Sequence, residues 1–207
     1  MAVDFCKSRT KENLMKAFAG ESQARNRYTI AAEMAMEHHM YSVGQIFLFT
    51  ADQERAHAQR YYELLKEAEG ETIEICGGFP VDTYDSLTDL LRAAEHNETE
   101  EYKDVYQAFG DQAKEEGFLE AASAFYQIAE VEKTHAKRFG KIRELMETNT
   151  YFELAKEGAW MCLNCGHIHR GTKAPEVCPV CRHEKGFFIP LSLHGQRDRG
   201  HVEYHAK

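Results

Sequence analysis

A four-helix, all-α bundle followed by a small metal-bound module of strands and loops is the architecture this sequence predicts, on three observations. Four stretches before about residue 150 carry apolar residues at helical steps of three and four. Two of those stretches each contain a Glu-x-x-His, Glu54-Arg-Ala-His57 and Glu132-Lys-Thr-His135, 78 residues apart. The last quarter holds two Cys-x-x-Cys pairs. A three-residue helical step brings both side chains of Glu-x-x-His to one face, within reach of one metal ion. One Glu from each of two helices plus Glu-x-x-His from each of the other two is the ligand set of a di-iron four-helix bundle.

The first stripe, from about residue 7 to 39, is Leu14, Ala17, Phe18, Glu21, Ala24, Tyr28, Ala31 and Ala35. His38 to Tyr41 form a short connection, and Ser42 is a candidate N-cap. Phe47, Thr50, Ala51, Glu54, His57, Ala58, Tyr61 and Leu65 make the second stripe, with Gly70 as C-cap. Gly70, Gly77, Gly78 and Pro80 then break any helix between 70 and 85. That stretch reads as a long crossover, which sets the second and third helices parallel and makes the bundle ferritin-like. Asp85 or Ser86 caps a third helix striped Leu87, Leu91, Ala94, Glu95, Glu98, Tyr102, Val105 and Phe109. Gly117 marks a turn into the fourth, striped Phe118, Ala121, Phe125, Ile128, Glu132, His135, Phe139, Ile142 and Met146. Glu21 precedes Glu54 by 33 residues and Glu98 precedes Glu132 by 34, so the halves read as a duplicated hairpin with two metals between them.

After about residue 150 the pattern changes. Cys162-Leu-Asn-Cys165 and Cys178-Pro-Val-Cys181 are separated by twelve residues, with Gly171 and Pro175 in the loop. Four thiolates so arranged make a tetrahedral S4 site for zinc or iron. The expected core of this module is Trp160, Ile168, Phe187 and Phe188, too small to fold alone, so metal supplies most of its folding energy. The chain is therefore expected to divide into a bundle over 1–150, a small domain over 151–190 and a polar, His-rich tail over 191–207.

A composition of 43% hydrophobic and 29% charged residues with four Pro is that of a folded chain. The net charge of −9 argues against a nucleic-acid surface or an anionic membrane as partner. No apolar run approaches the roughly 18–20 residues that span a bilayer. The opening Met1-Ala-Val-Asp-Phe-Cys6 lacks a signal peptide's basic and apolar regions, which predicts a cytoplasmic protein. In that compartment the paired cysteines point to metal rather than disulfides, while Cys6 and Cys76 stand apart from any ligand set.

Carboxylates facing one core repel each other and resist ionisation unless cations neutralise them. Two divalent ions bring roughly +4 against −5 from Glu21, Glu54, Glu95, Glu98 and Glu132, and oxygen donors with imidazole suit iron or manganese. Glu100, Glu101, Glu130 and Glu144 fall off the stripes and read as solvated surface. Glu21, Glu54, His57, Glu95, Glu132 and His135 already make a six-ligand set, which leaves Glu98 as a seventh, bound in one oxidation state only. Tyr28 and Tyr102 stand one or two turns from the carboxylates, placed to hydrogen-bond ligands or a bound oxidant. His167 and His169 flank the first cysteine pair but are not needed as ligands, and His38, His39, His96, His183, His194, His201 and His205 read as exposed.

Together these features resemble the rubrerythrin family over roughly residues 7–190. The matching pieces are Glu21-Ser-Gln-Ala-Arg-Asn-Arg-Tyr28, Glu54-Arg-Ala-His57, Glu95-His-Asn-Glu98, Glu132-Lys-Thr-His135 and the module entered by Trp160, with Ala174-Pro175 and Cys178-Pro179 similar to that family's rubredoxin-type domain. The resemblance implies a non-haem di-iron peroxidase of the oxidative-stress defence that reduces hydrogen peroxide to water, with an FeS4 centre at Cys162, Cys165, Cys178 and Cys181 relaying electrons. It also implies an NAD(P)H-linked supply through a separate donor protein, a rubredoxin or flavoprotein reductase. A homodimer in which one subunit's rubredoxin-like domain sits near the other's di-iron site is implied as well. Carried over by position, Glu54 and Glu132 would bridge two irons, Glu21 and His57 would serve one, Glu95 and His135 the other, and Glu98 would be redox-dependent. A ferritin-type ferroxidase and a non-enzymatic zinc-ribbon interaction module on a structural bundle are the alternatives. The S4 module argues against the first, since storage needs no electron relay; the carboxylate-rich core argues against the second.

Overall fold

The computed structural model describes residues 3–194. Its first hairpin is α1 (Arg9–Glu37) and α2 (Tyr41–Glu63). Ser8 starts α1 as a true N-cap, its side chain accepting from the Lys11 backbone N–H. Ser42, expected to cap α2, instead lies inside its first turn, and its hydroxyl meets the Tyr151 hydroxyl at 2.9 Å. Residues 71–84 form no regular element and run as a strap between the hairpins. Asp82 anchors the strap, accepting from Arg27 at 2.7 Å and from Asn97 at 2.8 Å.

The second hairpin pairs α5 (Leu119–Glu147) with an interrupted helix: α3 (Leu87–Glu100), a π turn over Glu101–Val105, then α4 (Tyr106–Glu116). Ser86 caps α3, and Gly117 ends α4 in the left-handed region at φ 92°.

Two apolar clusters fill the bundle. One gathers Tyr28, Phe47, Leu91, Phe139 and Ile142; the other gathers Leu14, Tyr61, Tyr106, Phe125 and Ile128. Along α1, α2, α3 and α5 the buried Glu and His residues fall between the two, so these carboxylates form a polar layer with packed hydrocarbon on either side.

In the small module β1 (Glu153–Cys162) is flanked by β2 (Ile168–Lys173) and β3 (Phe188–Pro190), both antiparallel to it. Trp160 stands opposite His169 on one side and Pro190 on the other. The core is Trp160, Cys162, Ala174, Cys178 and Phe188. Ile168 departs from expectation: at the start of β2, a strand paired on one side only, it is 48% exposed. Phe187 is shared with the bundle, stacking on Tyr41 at 4.2 Å, and Ile189 enters the bundle's own core. Gly186 permits this docking, because a Cβ there would overlap the His39 carbonyl oxygen at 1.7 Å.

Candidate metal centres

Six side chains from four helices converge in the polar layer. Glu21, Glu54, His57 and Glu132 each offer a ligand atom within 4.8 Å of the others, and so do Glu54, Glu98, Glu132 and His135. Glu54 and Glu132 belong to both groups, and each divides its oxygens between them. Glu132 Oε1 lies 2.8 Å from His57 Nδ1 and its Oε2 lies 2.7 Å from His135 Nδ1. Glu54 Oε2 lies 3.2 Å from His57 Nδ1 and its Oε1 lies 3.0 Å from His135 Nδ1. The imidazoles stack across the centre with centroids 5.8 Å apart.

The outer carboxylates are matched. Glu21 Oε1 accepts from the Tyr106 hydroxyl at 2.6 Å, and Glu98 Oε1 accepts from the Tyr28 hydroxyl. The inward oxygens, Glu21 Oε2 and Glu98 Oε2, have no hydrogen-bond partner among the described residues. Glu54 Oε1, both Glu132 oxygens and His135 Nδ1 are likewise buried without one. Buried acceptors left unmade are costly. Two oxygen- and nitrogen-lined points sharing two carboxylates fit a pair of hard or borderline divalent ions.

The protein's own charges show the strain that metals relieve. Burial, with the neighbouring Glu132, pushes Glu21 well above the usual carboxylate range. Burial and Glu54 push Glu98 up to about 8. Burial pulls both imidazoles down, but the surrounding carboxylates outweigh it and carry His57 and His135 well above the ordinary histidine value. Burial also pushes Glu54 up, yet His135 and His57 hold it below the ordinary range.

Glu95 does not join this cluster. The buried face of α3 runs Leu87, Leu91, Ala94, Glu98, which leaves Glu95 on the flank. Its carboxylate passes over Gly140 of α5, where a Cβ would stand 2.5 Å from it, and accepts from Arg143 Nε at 2.8 Å. Glu98, read from the sequence as the extra ligand, is therefore the counterpart of Glu21. A further acidic residue, Glu101, was expected on the surface. It begins the π turn, and burial together with Glu98, Glu21, Glu132 and Glu54 pushes its carboxyl well above the usual range.

The π turn also changes which tyrosine faces the centre. The extra residue per turn shifts the helix phase, so Tyr106 is buried against Glu21 while Tyr102 stays half-buried beneath the Lys103 ammonium. The 33- and 34-residue spacings already paired Glu98 with Glu21; nothing in the sequence announced the π turn.

The second centre is local. The Sγ atoms of Cys162, Cys165, Cys178 and Cys181 lie within 4.8 Å of one another, with Cys162 to Cys181 and Cys165 to Cys178 both at 3.6 Å. A tetrahedron of metal–sulfur bonds of about 2.3 Å has edges of about 3.8 Å, so the thiols fit one metal. Two matching knuckles build the site: the Cys162 N–H donates to the His167 carbonyl, and the Cys178 N–H donates to the His183 carbonyl. The His183 backbone N–H brings the Cys181 thiol down to about 5, while burial pushes Cys162 up to about 12. His167 and His169 lie outside the ligand group. His183, expected to be exposed, is half-buried, its ring edge-on to Phe187 at 4.5 Å. His201 and His205 lie outside the described residues, as does the His194 side chain.

Fold and sites together define a ferritin-like dimetal-carboxylate protein carrying a four-cysteine, rubredoxin-like domain. The rubrerythrin family profile matches residues 12–143, and the profile described as "Rubrerythrin, rubredoxin-like domain" matches residues 160–189. The chain belongs to the rubrerythrin family. It is 42% identical to a rubrerythrin of Porphyromonas gingivalis, over 89% of this chain and 90% of that one. It is 40% identical to a rubrerythrin of Nitratidesulfovibrio vulgaris, over 90% of this chain and 96% of that one. Among solved structures, fully reduced, all-ferrous nigerythrin superposes with a TM-score of 0.60 at 30% identity, covering 89% of this chain and 90% of the other. A Desulfovibrio desulfuricans bacterioferritin, at 22% identity and a TM-score of 0.61 over 69% of this chain and 82% of its own, shares the bundle fold. No described helix is long and apolar enough to cross a membrane.

Proposed function

We propose that this protein is a peroxidase that reduces hydrogen peroxide to two waters, taking up two protons and two electrons. The observation that carries the reading is the pairing in one chain of a dimetal-carboxylate layer with a four-cysteine site of the kind that can hold a single iron. Two irons held by Glu21, Glu54, His57, Glu98, Glu132 and His135 would supply the electron pair, and an iron held by Cys162, Cys165, Cys178 and Cys181 would supply one-electron chemistry. The protein's own residues do the rest. Tyr106 and Tyr28 hold Glu21 and Glu98 by one oxygen each and leave the other oxygen to face a metal. Burial and the neighbouring carboxylates raise the Glu101 carboxyl well above the usual carboxylate range, which favours its protonated form. It borders a cavity of about 220 Å³ that Lys16, Gly20, Gln23, Gly78 and Tyr106 also line. A carboxylic acid between cavity and metal layer can protonate the oxygen that departs as water. We assign the role of conditional ligand, read from the sequence onto Glu98, to Glu101, and Glu95 and Tyr102 take no part. Electrons arrive from NAD(P)H through a separate donor protein, a rubredoxin or flavoprotein reductase. The protein works as a homodimer in a reducing cytoplasm, where free thiols stay available for metal.

The test is the oxidation of pre-reduced protein. One peroxide should be consumed per two bundle irons oxidised, with no iron accumulating beyond the bound set. A ferritin-type ferroxidase would instead consume dioxygen and gather many irons per chain. Entry through the cavity is tested at Gly20, where no atom lies within 4 Å of the place a Cβ would take. Gly20→Leu should slow oxidation by peroxide about tenfold, or about 1.4 kcal/mol on the barrier, and slow a bulkier organic hydroperoxide further. Unchanged rates with both oxidants would exclude this route.

A further inference from the structure

The two half-sites differ outside their ligands. His135 Nε2, the ring nitrogen not facing the carboxylates, lies 3.1 Å from Gln53 Oε1. The same oxygen accepts from Arg138 at 3.1 Å, and that guanidinium also donates to Thr50 Oγ1 at 2.9 Å. Arg138 is buried, with its guanidinium 5.3 Å from the centroid of the Phe49 ring. An arginine only donates. It therefore requires the carbonyl oxygen of Gln53, not the amide nitrogen, to face it. That oxygen can only accept from His135, so Nε2 keeps a proton, and Nδ1, which faces Glu54, Glu132 and Glu98, is the nitrogen left to bind a metal.

The other half lacks this device. Gln53 immediately precedes Glu54; the position before Glu132 is Val131, which has no side-chain acceptor. Arg138 follows His135 by three; the residue three after His57 is Arg60, which donates to Glu120 at 2.7 Å on the surface. Among the described residues no hydrogen bond holds His57 Nε2.

We propose that Gln53 and Arg138 are positioning residues that fix His135 in its metal-binding tautomer, so that the His135 half-site holds its metal tightly while the His57 half-site is the weaker, exchangeable one. An outer partner of a ligating histidine is typically worth roughly 10–100-fold in metal affinity. The proposal concerns the metal site alone and stands or falls separately from peroxide as substrate.

The test uses the full-length protein loaded with zinc, which is diamagnetic. In the unsubstituted protein the His135 Nε2 proton should exchange slowly with solvent and that of His57 quickly; equal exchange would overturn the proposal without recourse to any variant. Competition with a graded chelator should remove the two bundle zincs in separate steps. Gln53→Leu, at a half-buried position, should weaken the tighter step by about 10–100-fold, merge the two steps and speed exchange at His135. Gln53→Glu keeps an acceptor for both His135 and Arg138 and should restore the separation. Two unchanged steps in Gln53→Leu, or no rescue by Gln53→Glu, would overturn it.

Discussion

In the bundle, each helix carries packed hydrocarbon on both sides of the carboxylate layer, whereas in the small module two of the five buried core residues, Cys162 and Cys178, are themselves metal ligands. The bundle's ligand positions are set by the packing of four helices and exist as a strained cluster before any metal arrives. The module's ligand positions are set by two knuckles of a few residues each, and without metal little else closes its core. Metal is thus a reagent held by a finished scaffold in the first region and a structural member in the second.

The largest expected effect breaks that contrast open. Cys162→Ser, or removal of the S4 metal, should unfold the module, since structural metal in such small sites supplies on the order of 10 kcal/mol or more. The bundle should keep its helicity and both metals, with its melting point lowered modestly because Phe187 and Ile189 no longer pack on it. Pre-reduced protein should still oxidise once with peroxide, while steady-state turnover with a protein donor collapses. Circular dichroism and metal analysis read the first pair of outcomes, rapid mixing the second. Concerted loss of bundle and module would show that the two regions are one cooperative unit.

Next come the carboxylates of the interrupted helix. Glu98→Ala should lose metal from the His135 half-site, as Glu21→Ala should from the His57 half. Glu101→Ala should retain two bundle metals and lose turnover. Glu95→Ala should change neither, and should cost at most about 1 kcal/mol through its partly exposed pair with Arg143. Metal loss in Glu95→Ala would reverse the assignment.

These residues also show how far the sequence was legible. The cysteine site is written in gaps of two residues within each pair and twelve between the pairs, and hairpin geometry needs nothing more. Glu21, Glu54, His57, Glu132 and His135 could be read because each lies on the apolar stripe of an uninterrupted helix. Glu95 was misplaced because a three-residue step makes Glu95 and Glu98 look alike on a helical wheel, and only the packing of α3 on Gly140 and Arg143 separates them. Glu101 and Tyr106 were missed for another reason: a π turn adds a residue to the helical repeat, and a pattern search at 3.6 residues per turn loses phase there. Gln53 and Arg138 carry no periodic signal, since their significance appears only when α2 and α5 are placed side by side.

A third expectation concerns pH. In the bundle, Glu98 holds its proton up to about pH 8, and Glu21, Glu101, His57 and His135 also hold protons above their ordinary values. Metal must displace these protons, so affinity for bundle metal should rise with pH from 6 to 8, by about tenfold per unit for each proton released. Proton release on loading, measured in buffers of different ionisation enthalpy, checks the same point. Flat affinity across that range would mean the carboxylates are already ionised.

The smallest expected effect lies within the module, where its two knuckles can be compared directly. Gly166 follows Cys165 with φ 76°, and Arg182 follows Cys181 with φ 64°, so the same left-handed turn is made once by glycine and once by an exposed arginine. A side chain in that region costs roughly 1 kcal/mol or more, partly offset by the greater chain entropy glycine loses on folding. Arg182→Gly should therefore stabilise the metal-loaded module by about 0.5 kcal/mol. Gly166→Ala, where no atom lies within 4 Å of the new Cβ, should destabilise it by about 1 kcal/mol from the backbone alone. Because the bundle does not depend on the knuckles, its melting should move in neither variant, and chelator resistance of the S4 metal should follow the sign of each change. Arg182→Gly weakening metal retention would show that the arginine side chain, rather than the backbone turn, holds that knuckle in place.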